Sequence, residues 1–96
     1  MEKVERVGNL NFPDAARRQK LSGRLILEVS LDDQGRVQAM RVRHPSGEPV
    51  LDAAAQDIVR LASPFAPFPA ELREKYDQLT IIRTWVFESG RGLATR

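Results

Sequence analysis

"RLILEVSLDDQGRVQAMRVRH", residues 24–44, is the stretch on which the fold turns. Leu25, Leu27, Val29 and Leu31 fall on one side of an extended chain, with Arg24, Ile26, Glu28 and Ser30 on the other. A period of two marks a strand buried on one face. Asp32-Asp33-Gln34-Gly35 is a turn-forming group in which Gly35 is free to take a positive φ. The second extended run has its apolar residues at Val37, Met40 and Val42, which breaks strict alternation. One extra residue in a bulge near Ala39 restores the register. Residues 24–43 therefore predict a β-hairpin.

Upstream of the hairpin, "NFPDAARRQKLSG" places Pro13 at a first helical position, Asp14 in the first turn and Gly23 as a stop, so a short helix is expected over residues 13–21. Residues 1–8 have Val4 and Val7 at helical spacing but no start signal, and read as a lead-in or a truncated element. Downstream, Leu51, Ala54, Ala55, Ile58, Leu61 and Ala62 form an apolar stripe at helical spacing. Ser63-Pro64 ends that helix, because proline lacks the amide hydrogen and pushes the residue before it toward extended geometry.

Residues 63–77, "SPFAPFPAELREKYD", hold the chain extended through Pro64, Pro67 and Pro69 while Phe65 and Phe68 plug the end of the core. "LTIIRTWVFE" then alternates Leu79, Ile81, Trp85 and Phe87 against Thr80, Ile82, Thr84 and Val86, a third strand with apolar matter on both faces. Residues 91–96 show no pattern and read as a flexible tail. The fold expected is α+β: an α-β-β-α-β two-layer sandwich with a three-stranded antiparallel sheet and two helices on one face, one domain over residues 9–90.

A chain of 96 residues has a thin core and little room for an enclosed ligand cavity. No cysteine is present, which excludes disulfides, thiolate metal sites and a cysteine nucleophile. Twelve arginines and three lysines are interspersed with thirteen acids, a mixed surface rather than the single basic stripe of a nucleic-acid binder. His44 is the sole histidine; without cysteine or a second histidine only carboxylates remain as metal ligands, and it reads as a strand-end residue. Asp32 and Asp33 are turn residues pointing apart. Ser22, Ser30, Ser46, Ser63 and Ser89 lack an activating base, because a His-Pro-Ser order on one loop does not bring His44 onto Ser46. No catalytic constellation emerges. What does emerge is a sheet edge: the third strand is rich in Thr, Ile and Val, with Arg83 as its only interior charge, and offers unpaired backbone groups to another chain.

Taken as an ordered set, Phe12-Pro13, Gly23 before the first long strand, Asp33-Gln34-Gly35, "SGEPVLDAAAQDIV", "PFAPFP" and Trp85-Val86-Phe87 resemble the C-terminal domain of the TonB energy transducers, over about residues 9–90. The resemblance implies a periplasmic domain of an inner-membrane-anchored protein that works with ExbB and ExbD. It also implies docking on TonB-dependent outer-membrane transporters, whose TonB box adds as a strand to the domain's last strand and so passes inner-membrane energy for uptake of siderophore iron or cobalamin. No cofactor and no catalytic step belong to such a domain. Carried onto this chain, the docking residues are Leu79, Thr80, Ile81, Ile82, Arg83, Thr84, Trp85, Val86, Phe87 and Glu88. Asn9 and Leu10 stand where the best-known members have Gln-Pro, so the amide is one methylene shorter and the proline is lost. The Pro-Phe segment also replaces a tryptophan-bearing stretch. These departures leave open a specialised or TolA-like envelope transducer with another partner. A basic sheet that stacks nucleic-acid bases is the reading from a different class. An exposed edge can also pair with its own copy, so a homodimer is a further expectation.

Overall fold

The computed structural model describes residues 2–88 and 90–96; Met1, in the expected lead-in, and Ser89 lie outside them. The elements run α1 (Glu2–Leu10), α2 (Asp14–Gln19), β1 (Gly23–Asp32), β2 (Val37–His44), α3 (Pro49–Ala62), the single turn α4 (Ala70–Arg73), β3 (Gln78–Glu88) and β4 (Gly92–Thr95). The four strands form one sheet in the order β2-β1-β3-β4, every neighbouring pair antiparallel. The α+β class stands, but the sheet has four strands rather than three. Residues 92–95, expected as part of a tail, are its fourth.

The hairpin forms as its pattern requires. Leu25, Leu27, Val29 and Leu31 are all buried. Leu31 pairs with Val37 and Ser30 with Ala39, so Gln38 is the extra residue of a bulge. That insertion turns Met40 and Val42 to the same face as Val37, and all three pack against the core. At the turn, the Asp32 carboxylate accepts the backbone N–H groups of Gln34 and Arg36, both at 2.9 Å, and the Arg36 Nε–H at 2.8 Å. The Arg36 backbone N–H foremost, with the Arg36 side chain and the Gln34 N–H, holds the Asp32 carboxyl below the usual carboxylate range.

Gly35 takes φ 78°, and its carbonyl accepts the Phe65 N–H at 2.8 Å. A Cβ there would collide with the Phe65 carbonyl oxygen, so only glycine lets the Pro-Phe segment close on the turn. The Phe68 N–H donates to the Asp33 carbonyl at 3.0 Å. This segment thus straps the hairpin turn by backbone bonds, while Phe65 packs on the core and Phe68 is buried beside it.

α3 lies across the helix-covered face of the sheet with Leu51, Ala54, Ala55, Ile58, Val59 and Ala62 buried. The expected stripe differs at one place: Leu61 is 60% exposed and Val59 is buried instead. Position 59 completes the 51, 55, 58, 62 face at helical spacing, whereas 61 lies beyond its margin. β3 contributes Trp85 and Phe87, and the Phe87 ring meets Phe12 edge-on with centroids 5.7 Å apart.

Residues 2–8, expected as a lead-in, are helical and continue through Asn9 and Leu10 as α1, which belongs to the core through the fully buried Val4. The approach of α1 to β4 is close: a Cβ on Gly8 would strike the Leu93 side chain. Among the described residues, the other face of the sheet carries no helix. Glu28 there accepts ion pairs from Arg43 at 3.3 Å and Arg41 at 3.7 Å, across the β1–β2 ladder.

Candidate docking edge

Whether a strand can be added to β3 depends on which of its backbone groups are already paired. On one side β1 pairs with β3 without interruption, from Gly23 opposite Phe87 to Asp32 opposite Gln78. On the other side β4 covers only the second half, where Trp85, Val86, Phe87 and Glu88 face Thr95, Ala94, Leu93 and Gly92. The ladder ends at Thr84, whose N–H donates to the Arg96 carbonyl at 3.0 Å and whose carbonyl accepts the Arg96 N–H at 2.8 Å. Among the described residues, the open stretch of the edge is therefore 78–83.

Thr84 also sets the orientation of what is left open. In an antiparallel ladder, backbone groups point alternately to the two neighbours. Since Thr84 turns both its groups to β4, Ile82 and Thr80 turn theirs to the unpaired side, while Leu79, Ile81 and Arg83 bond to β1. By the same alternation Gln78 turns outward as well, so three residues, Gln78, Thr80 and Ile82, direct their N–H and C=O groups away from β1 in register. Among the side chains here, Ile82 is 48% and Leu79 41% exposed, an unusual allowance of apolar surface on an uncovered edge. Ser30 and Thr80 share a hydrogen bond of 3.1 Å across the ladder, which fixes the strand beneath.

The expected docking residues are thereby divided. Leu79, Thr80, Ile81, Ile82 and Arg83 lie on the open stretch. Thr84, Trp85, Val86, Phe87 and Glu88 lie where both sides of the strand are paired, and Trp85 and Phe87 are core side chains. Asn9 and Leu10 sit at the far end of β3 from the open stretch. The Asn9 side-chain oxygen accepts the Leu93 N–H at 2.9 Å, which commits that amide to β4, and Leu10 is exposed next to it.

Asn9 does not act alone. Glu5, one helical turn earlier and so on the same face of α1, accepts the Thr95 N–H at 2.8 Å and its hydroxyl at 2.9 Å. These two side chains clip β4 onto α1; the sequence pointed to Glu5 only through its spacing of four from Asn9. The Thr95 N–H first, and then its hydroxyl, hold the Glu5 carboxyl below the usual carboxylate range against a smaller opposing effect of burial. A carboxyl depressed by folding contributes stability that is complete above its unfolded value and is lost as pH falls through the folded one. The Thr95 amide resonance is thus expected to titrate with a midpoint below the ordinary glutamate value and to stop titrating in Glu5→Gln; a midpoint at or above that value would remove Glu5 from the clip.

His44 is exposed at the end of β2, and Ser46 hydrogen-bonds with the Glu48 backbone and, through its N–H, with Asp52. Among the described residues no group of three or more His, Cys, Asp or Glu side chains is placed to hold a metal ion, and no helix is long and apolar enough to cross a membrane.

The class of protein defined by this geometry is a small α+β domain with one antiparallel sheet, in which β3 is half covered by β4. The family model described as Gram-negative bacterial TonB protein C-terminal matches residues 8–88, and the chain belongs to that family. The family is one of periplasmic interaction and transducer domains and is not known as an enzyme family. Comparison with curated proteins and with solved structures gives no match.

Proposed function

We propose that this domain is the docking module of a TonB-type energy transducer, which takes the TonB box of an outer-membrane transporter as an added strand along residues 78–83. The single observation that carries the reading is the half-open edge of β3. Six residues of a strand locked to β1 present their outward backbone groups beside exposed Ile82 and Leu79. The membership of the family supports the partner, and the edge supports the mode.

Strand addition suits a domain that transmits force. Ladder hydrogen bonds contribute only about 0.5–1.5 kcal/mol each, so the complex dissociates readily at rest, yet a pull along the strand loads them together. β3 bears that load on β1, the neighbour paired with it along nearly its whole length. In the full protein we place an inner-membrane anchor and the ExbB–ExbD motor upstream, with iron-chelate or cobalamin uptake as the process served.

The test is an amide-resolved NMR titration of the labelled chain with synthetic TonB-box peptides at low and high salt. Shifts are expected over residues 78–83 with little salt dependence, and only weakly over 85–88, where β4 already pairs. Shifts centred on the arginines of β2 that fade steeply with salt would instead support nucleic-acid binding.

A further inference from the structure

Beside the open edge lies an apolar groove of about 240 Å³, lined by Phe68, Leu72, Tyr76, Gln78, Leu79 and Thr80. It is built by the segment that closes the sandwich. α4 and the residues after it bring Leu72 and Tyr76, four apart and so on one side of a helical turn, next to the start of β3. Phe68 is buried at its base outside the main core. Tyr76 is 57% and Leu79 41% exposed, so two of the large apolar side chains left in solvent stand at this groove.

We infer that this groove is a specificity pocket that receives one large apolar side chain of the strand added to β3. The inference rests on the docking reading above and adds the side-chain chemistry of the partner to it. Gln78, Leu79 and Thr80 belong to both the groove and the open edge, so a strand paired to Thr80 and Ile82 must run along the groove's rim. Its side chains alternate between the two faces of the sheet, and every second one descends on the helix side, where Leu79 and Ile81 point. The volume is below the roughly 300–1,000 Å³ of small-molecule sites, and suits a single side chain. The walls are leucine, phenylalanine and tyrosine, which favour an aliphatic or aromatic group over a charged one. Backbone pairing by itself reads no sequence; this pocket lets the edge choose among extended peptides.

The experiment uses the whole chain and a set of transporter-box peptides in which each apolar side chain in turn is cut back to alanine. One position is expected to cost about tenfold in Kd, the scale of one buried apolar side chain. In Leu72→Ala and Tyr76→Ala the uncut peptide should bind about tenfold more weakly, and the alanine peptide no worse than to the native chain, so that the position loses its effect. Neither residue belongs to the core, and circular dichroism of both variants checks the fold. Equal losses at every peptide position in native and variant chains, with binding still strongly weakened by Ile82→Pro, would overturn the pocket and leave edge docking standing. Absence of peptide binding to the native chain would overturn both. So would a dimer that Ile82→Pro dissociates in the absence of peptide binding, which would give the edge to a second copy of this chain.

Discussion

Ile82→Pro is expected to weaken binding of a transporter-box peptide roughly thirty- to a hundredfold while leaving the domain folded. The Ile82 N–H turns to the unpaired side of β3, so the native fold loses no ladder bond when proline removes it, and the side chain is half exposed on the uncovered face. The added strand loses that bond, and the ring keeps its backbone from approaching on either side. Two or three ladder bonds at about 1 kcal/mol each account for the fall. Peptide titration by fluorescence anisotropy measures it, with urea unfolding as the check on the fold.

The neighbouring positions make the result diagnostic. Arg83→Pro removes an N–H that bonds to β1, opposite Leu27, and so breaks the central ladder of the sheet. Thr84→Pro removes the bond to the Arg96 carbonyl and loosens the end of β4. If edge docking operates, Ile82→Pro alone separates binding from stability. Binding unchanged in a folded Ile82→Pro would show that the peptide docks elsewhere, and an unfolded Ile82→Pro beside a folded Arg83→Pro would reverse the orientation of the edge.

The sequence carried the hairpin, its bulge and the main helix because each is a long run with a regular period and one buried face. Even the irregular spacing of Val37, Met40 and Val42 held information, since one extra residue at Gln38 is the simplest way to turn all three toward the core. β4 was not legible for the opposite reason. It has four residues, and of these only Leu93 is buried. What forms it is tertiary: the unpaired half of β3 on one side, and Glu5 and Asn9 on the other. α1 was hidden likewise, because Val4 and Val7 alone are too few to announce a helix that packing on α3 and β4 stabilises. These two omissions account for the change in the candidate site. With residues 91–96 taken as a tail, the whole of β3 stood open; with β4 in place, the edge is half as long and ends where Arg96 meets Thr84. The groove is hard to read because Pro64, Pro67 and Pro69 mark residues 63–77 as one extended plug, although Leu72 and Tyr76 have helical spacing.

Trp85→Ala is expected to cost about 3–5 kcal/mol of folding stability, the range for deleting a large aromatic side chain from a packed core. Trp85 is 1% exposed, on the helix-facing side of β3, and its backbone lies between β1 and β4. Small domains are stable by about 5–15 kcal/mol in all, so the variant should sit near the edge of unfolding, read as a lower urea midpoint by circular dichroism. The same measurement separates two roles for this residue. As a platform for a ligand, Trp85 would be exposed in the free protein, and its truncation would remove binding while sparing stability. As core, it should be shielded from acrylamide quenching in the native chain, and the peptide should change its fluorescence little. A quencher-accessible Trp85, or an alanine variant as stable as the native chain, would return the second half of β3 to the docking surface and require β4 to leave it.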